Sequence, residues 1–210
     1  MAEQKRGRLI VFEGIDGAGK TTQIELLAAY LKEQGRKVYR TAEPTESVTG
    51  GLLRDALAGV SKRTACEMAA LFVIDRIFHN VNPVNGIEKL LADGVDVLCD
   101  RYYYSSMAYQ GSETDPEWVR NMNLMCPEIR RPDICVFLDL TPEQSMERIR
   151  KGRVTFDIYE NLERLTQVRN RFYRVFEELK ETDRICIVDA ARPIETIYRE
   201  IVQAVEAVEV

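Results

Sequence analysis

"LIVFEGIDGAGKTTQIELL" (residues 9–27) joins an apolar run to a helix-like pattern through a glycine-rich turn ending in Gly19-Lys20-Thr21. Gly14-Ile15-Asp16-Gly17-Ala18-Gly19-Lys20-Thr21 fits GxxxxGK[ST], in which the glycines let successive backbone N–H groups point at an anion. With a strand before the turn and an amphipathic helix after it, a helix N-terminus faces the same spot. In such a cradle, running on into Thr22, Lys20 reaches the β- and γ-phosphates of a nucleoside triphosphate. The Thr21 hydroxyl there ligates Mg²⁺. Three fates for the phosphate stand open: hydrolysis that drives a switch, hydrolysis that drives motion, or transfer to an acceptor.

Outside the turn, apolar runs at residues 8–13, 95–100, 133–140 and 184–190 read as strands, with a more polar fifth at 36–42 that belongs nearer an edge. They are near-continuous rather than alternating, as expected for parallel strands covered on both faces. Helical patterns fill the gaps at 20–34, 64–92, 116–125, 142–150, 160–181 and 193–208. Thr141 reads as an N-cap with Pro142 at the first helical position, and Pro193 repeats the signal. Alternating strands and helices predict an α/β fold, a doubly wound five-stranded parallel sheet flanked by helices. The 210 residues suffice for one such domain and contain no linker or repeat.

Lys plus Arg number 29 against 34 Asp plus Glu, a formal net charge of -5. No long-range positive field exists to attract nucleic acid or an anionic membrane. No apolar run approaches the roughly 20 residues that span a bilayer, and "MAEQKRGR" leads into the first strand without a signal-peptide core. The expectation is a cytoplasmic protein. The five cysteines contain no CxxC pair and mostly sit in apolar surroundings, reading as small, reduced core residues. With His79 the single histidine, a zinc site is unsupported.

"VDVLCDR" ends a strand in Asp100, where a carboxylate orients Mg²⁺ opposite the cradle. Its neighbour is Arg101, not the Glu with which a motor ATPase activates water, and no Asn-Lys-x-Asp base-reading motif of a regulatory GTPase is present. Transfer is therefore favoured. Moving a phosphoryl group between two anions calls for several arginines beyond the cradle. Candidates are Arg76, Arg101 and the cluster Arg148, Arg150, Lys151 and Arg153, where a helix breaks at Gly152. That basic segment, at about 150–160, reads as a short mobile lid. Phe72 lies four residues before Arg76, so ring and guanidinium share a helix face. "RYYYSSMAYQG" (101–111) follows the strand end, where ligands of open α/β sheets bind, although a tyrosine run serves equally as packing.

These segments together resemble the thymidylate kinase family over nearly the whole chain. "FEGIDGAGKTTQ" is similar to that family's P-loop, "LFVIDR" to its dTMP helix, "DRYYYSSMAYQG" to its DR[YH]xxSxxAYQG segment and "RKGRVTFDIYE" to its lid. The resemblance implies phosphoryl transfer from ATP to dTMP with Mg²⁺, held by Thr21 and Asp100. It implies that Asp16 holds the sugar 3′-hydroxyl, Phe72 stacks on thymine, and Arg76 and Arg101 grip the acceptor phosphate. Glu43, Ser105 and Gln110 also belong to the dTMP site, and Tyr109 crowds the 2′ position. Gly17 occupies the place of a P-loop arginine, so the lid must supply that charge. Arg153 matches the lid position best, with Arg150 in reserve, and Arg192 is a candidate for contact with adenine. A homodimer through helices is implied as well; residues 195–208 and the 64–92 helix are both apolar enough.

Two departures stand out. The family pattern Arg-Glu-Pro-Gly-Gly-Thr is Ala42-Glu43-Pro44-Thr45-Glu46-Ser47 here, losing an arginine. Arg40, about 6.5 Å upstream on the same strand face, is a partial substitute. "FDIYE" also lacks the arginine often found between Asp and Glu in the lid. Another pyrimidine monophosphate or small acceptor, and a catalytically silent nucleotide-binding protein of the same fold, are the alternatives.

Overall fold

The structure, a computed structural model, describes residues 6–152 and 162–209. Five parallel strands, β1 (Leu9–Glu13), β2 (Lys37–Ala42), β3 (Val95–Asp100), β4 (Ile134–Asp139) and β5 (Ile185–Asp189), form one sheet in the order β2-β3-β1-β4-β5. From β1 the chain crosses to β2 and β3 on one side, then to β4 and β5 on the other. A crevice therefore opens beyond the carboxyl end of β1. β2 is an edge strand, as its polarity predicts.

Alternate residues of each central strand serve opposite faces, which explains the unbroken apolar runs. Leu9, Val11, Val97, Cys99, Cys135 and Phe137 pack on one face, against Phe172 and Phe176. Ile10, Phe12, Leu98, Ile134, Val136 and Leu138 pack on the other, against Ile24, Leu27, Ile197 and Ile201. The helices are α1 (Lys20–Glu33), α2 (Val48–Leu57), α3 (Ala65–Val81), α4 (Ile87–Ala92), α5 (Tyr103–Tyr109), α6 (Pro116–Leu124), α7 (Pro142–Gly152), α8 (Leu162–Leu179) and α9 (Ile194–Glu206). None is long and apolar enough to cross a membrane.

Several helix expectations need correction. The 64–92 pattern is two helices, because Asn82 precedes Pro83 and takes an extended ψ of 124°, which ends α3. Its side-chain oxygen accepts the Val84 N–H at 2.8 Å, and Gly86 starts α4. α2 is hidden in the sequence by Gly50 and Gly51, but Ser47 caps it by accepting the Gly50 N–H. Pro193 is the N-cap of α9 rather than its first helical residue. Thr141 does cap α7, accepting the Gln144 N–H at 3.3 Å. Cys99 and Cys135 lie in the core, whereas Cys66 is exposed.

Candidate active site

The turn after β1 needs glycine twice over. Gly14 has φ 145°, and a Cβ there would stand 2.8 Å from the Leu138 carbonyl oxygen; Gly17 has φ 76°. Ile15 and Ala18 anchor the loop in the interior, and Ser145 on α7 donates to the Asp16 carbonyl at 2.5 Å. Arg148, one turn further along α7, donates to the Gly17 carbonyl at 3.3 Å and to the Ala190 carbonyl at 2.8 Å. Gly19 caps α1 without a side chain, so the first-turn N–H groups face the loop. Thr21 and Thr22 are exposed in that turn.

Lys20 is buried, donating to the Gly14 carbonyl at 3.1 Å and standing 3.9 Å from Asp100. Burial pushes its pKa down, and the nearby Arg101 charge adds to that. An ammonium held this way gains most from a polyanion. Asp100 Oδ1, at the end of β3, is buried and accepts no hydrogen bond among the described residues. A shielded carboxylate oxygen that accepts no hydrogen bond suits a hard cation, so the residues fit Mg²⁺.

Beside the cradle lies a cavity of about 170 Å³. Every residue expected at the acceptor lines it: Asp16 from the cradle, Glu43 after β2, Phe72 and Arg76 from α3, Arg101 after β3, Ser105 and Tyr109 from α5, and Gln110 beyond α5. Pro44, Leu57, Tyr102 and Ser106, which were not expected, complete the wall. Arg101 is the hinge between the two parts. It has φ 69°, uncommon for a side chain with a Cβ. From there its guanidinium donates to Asp16 at 2.6 Å, to Ser105 Oγ at 3.1 Å and to the Gly14 carbonyl at 3.3 Å. It also stands over the Tyr109 ring, 5.5 Å from the centroid.

Arg76 is only 1% exposed. Its Nε and Nη2 donate to a single Glu43 oxygen at 2.9 and 2.6 Å, Nη2 also donates to Ser106 at 3.1 Å, and Nη1 donates to Asn123. The segment that departs from the family pattern is clamped one residue away. Thr45, Ser47 and Thr49 hydroxyls and the Thr45 N–H all donate to Asp75, at 2.6 to 2.9 Å. Burial alone would raise the Asp75 pKa, but these donors outweigh it and hold the carboxyl below its ordinary range.

Other expected residues stand apart. Arg150 is exposed on α7, and Arg153 lies outside the described residues. Arg192 sits in the turn after β5, donating to the Asp189 carbonyl at 3.2 Å and pairing with Glu200. The turn touches the cradle through Arg148. Arg40 does not line this cavity; it stands 3.6 Å from Glu25 instead. Of the four tyrosines, Tyr103 and Tyr104 are core residues, and only Tyr102 and Tyr109 reach the cavity wall. Tyr103 and Tyr104 donate to Asp183, and Tyr102 donates to Asn80 at 2.9 Å.

Glu13, at the end of β1, escaped the sequence reading because it looked like part of a strand. It is fully buried and accepts from the Tyr102 and Ser105 N–H groups and from Ser105 Oγ, at 2.8, 3.1 and 2.6 Å. It thus caps α5 from below and fixes the turn that carries Arg101. Burial pushes its pKa up from 4.5 to about 7. A pKa raised in the folded state contributes stability that is present below the unfolded value and lost as pH rises through the folded one. Relative to Glu13→Gln, the native protein should therefore lose on the order of 3 kcal/mol between pH 4.5 and 8. Urea unfolding of both proteins at several pH values measures this, and parallel pH profiles would contradict it.

A family model described as Thymidylate kinase matches residues 12–201. The chain is 39% identical to a probable thymidylate kinase of Pyrococcus horikoshii, over 96% of this chain and 97% of that one. It is 40% identical to a probable thymidylate kinase of Methanothermobacter thermautotrophicus, over 91% of each. A third such protein, from Pyrococcus abyssi, is 38% identical over 96% of this chain and 97% of its own.

Proposed function

This chain belongs to the thymidylate kinase family, and from that premise we propose that it transfers the terminal phosphoryl group of ATP to dTMP, giving dTDP and ADP. Arg101 carries the reading: one guanidinium contacts the cradle at Gly14 and the acceptor wall at Asp16 and Ser105. On this reading the cavity takes the acceptor, beside the cradle that would hold the triphosphate.

An acceptor phosphate is already ionised at neutral pH, so no general base is needed; positioning and charge neutralisation carry the catalysis. The cradle N–H groups and Lys20 hold the β- and γ-phosphates. Thr21 and Asp100 would hold Mg²⁺, which when bound neutralises charge on the triphosphate. Arg76 and Arg101 grip the acceptor phosphate, Phe72 stacks on the base, and Ser105, Gln110 and Glu43 complete its surroundings. Asp16 takes the 3′-hydroxyl, and Tyr109 crowds the 2′ position. Arg153, with Arg150 in reserve, brings charge to the moving group, and Arg192 approaches adenine. The location is cytoplasmic. ADP release should depend on added dTMP; equal ATP turnover without an acceptor would make the protein a hydrolase.

The protein acts as a homodimer joined through α3. Ile74, Phe78 and Val81 project from α3 at i, i+4 and i+7 and are 50%, 45% and 42% exposed. The matching residues of α9, Ile197, Ile201 and Val205, are buried in the chain's own core. Phe78→Glu should yield a monomer in sedimentation, while Ile194→Glu on α9 leaves the dimer intact. A dimer unaffected by Phe78→Glu places the interface elsewhere.

A further inference from the structure

We infer that His79 is a positioning residue for the acceptor, setting the orientation of Glu43 and, through it, the guanidinium of Arg76. The inference rests on the reading that the cavity takes dTMP. Phe72, Arg76 and His79 follow one another along one face of α3, but His79 is not part of the acceptor cavity wall. It lines a second cavity of about 370 Å³, behind the segment from Ala42 to Thr45. Its imidazole spans two partners, Thr41 Oγ1 at 2.8 Å from Nε2 and Glu43 Oε1 at 3.0 Å from Nδ1. His79, Glu43 and Arg76 are 6%, 4% and 1% exposed.

The unusual feature is how Glu43 meets Arg76. A carboxylate and a guanidinium left to themselves favour a fork, with one oxygen on each of two nitrogens. Here both Arg76 nitrogens go to Oε2, and Oε1 is turned to the imidazole. The carboxylate cannot rotate into the fork without giving up His79. With the carboxylate free to rotate, the Nε and Nη2 donors would lose the fixed Oε2 that now orients them, leaving Ser106 and Asn123 to hold Arg76. His79 thus holds Glu43 away from its preferred pairing and keeps Arg76 pointed at the acceptor. It touches no substrate in doing so.

His79 is the single histidine of the chain, so its imidazole resonances need no assignment. In the ¹⁵N-labelled protein, dTMP should shift them and ATP alone should not, with calorimetry reporting binding in the same samples. Measured dTMP binding with unmoved resonances overturns the positioning role and leaves the dTMP reading standing. Failure to bind dTMP at all overturns that reading, and this inference with it. His79→Leu should raise KM for dTMP roughly tenfold, the worth of a hydrogen bond to a charged group, and leave KM for ATP unchanged. His79→Asn, which keeps a donor near the Nδ1 position, should restore most of the loss. A Leu variant that is merely less stable, with native KM for dTMP, would reduce His79 to a packing residue.

Discussion

Lys20→Ala should lower kcat/KM for phosphoryl transfer by roughly 10²–10³-fold, the usual loss for one preorganised donor at a developing charge, without loosening the fold. The ammonium is buried, and the Gly14 carbonyl and the nearby Asp100, Asp16 and Glu13 carboxylates offset its lost hydration only in part. Its lowered pKa means that the protein without nucleotide disfavours the charge. Folding therefore does not depend on it, and catalysis does. Steady-state rates together with a thermal melt separate the two. A Lys20→Ala protein that melts near the native temperature and has lost its activity matches this account. A protein that keeps its activity would remove Lys20 from the phosphate site.

Arg76→Ala should act on both stability and binding. Removing one partner of a buried ion pair costs about 3–5 kcal/mol, because the other is left without its counter-charge. Here the stranded group is Glu43, itself only 4% exposed. Against a total stability of roughly 5–15 kcal/mol, that places the variant near unfolding at physiological temperature. The double variant Arg76→Leu with Glu43→Leu should recover much of the stability, since a buried pair replaced by apolar groups is often neutral. It should not recover dTMP binding. Denaturant titration and calorimetry on both variants test the pair, and a single variant that loses less than about 1 kcal/mol contradicts it.

Much of this site is legible in the sequence because its residues mark the ends of strands. The cradle after β1 and Asp100-Arg101 after β3 announce themselves through apolar runs that stop in polar residues. Parallel strands then bring their carboxyl ends together, as the pairing of Phe12 with Asp100 and of Ala42 with Asp100 shows. Phe72 and Arg76 were legible through helical spacing. The same spacing extended to 79 points to His79, but a lone histidine on an apolar helix carries no signal until Glu43 is folded against it. Glu13 was hidden for a related reason: a carboxylate at a strand end looks solvated until the α5 turn closes over it. Asp75 depends on three hydroxyls that lie 26 to 30 residues away. Periodicity also misjudged the 64–92 helix, where one proline outweighed a continuous apolar stripe, and it overlooked α2, where two glycines masked a well-capped helix.

The loss of the family arginine at Ala42 bears on acceptor choice. The Thr45, Ser47 and Thr49 hydroxyls hold the following loop on Asp75, next to Arg76. Arg76 and Arg101 then remain the cavity's cationic side chains among the described residues. The decisive measurement is kcat/KM for dTMP, dUMP, dCMP, UMP, AMP and GMP, each with ATP and Mg²⁺. A clear preference for dTMP, with UMP a poor acceptor, is the result this account predicts. Equal or better turnover of another monophosphate, or none with any of them despite measurable ATP binding, would contradict it.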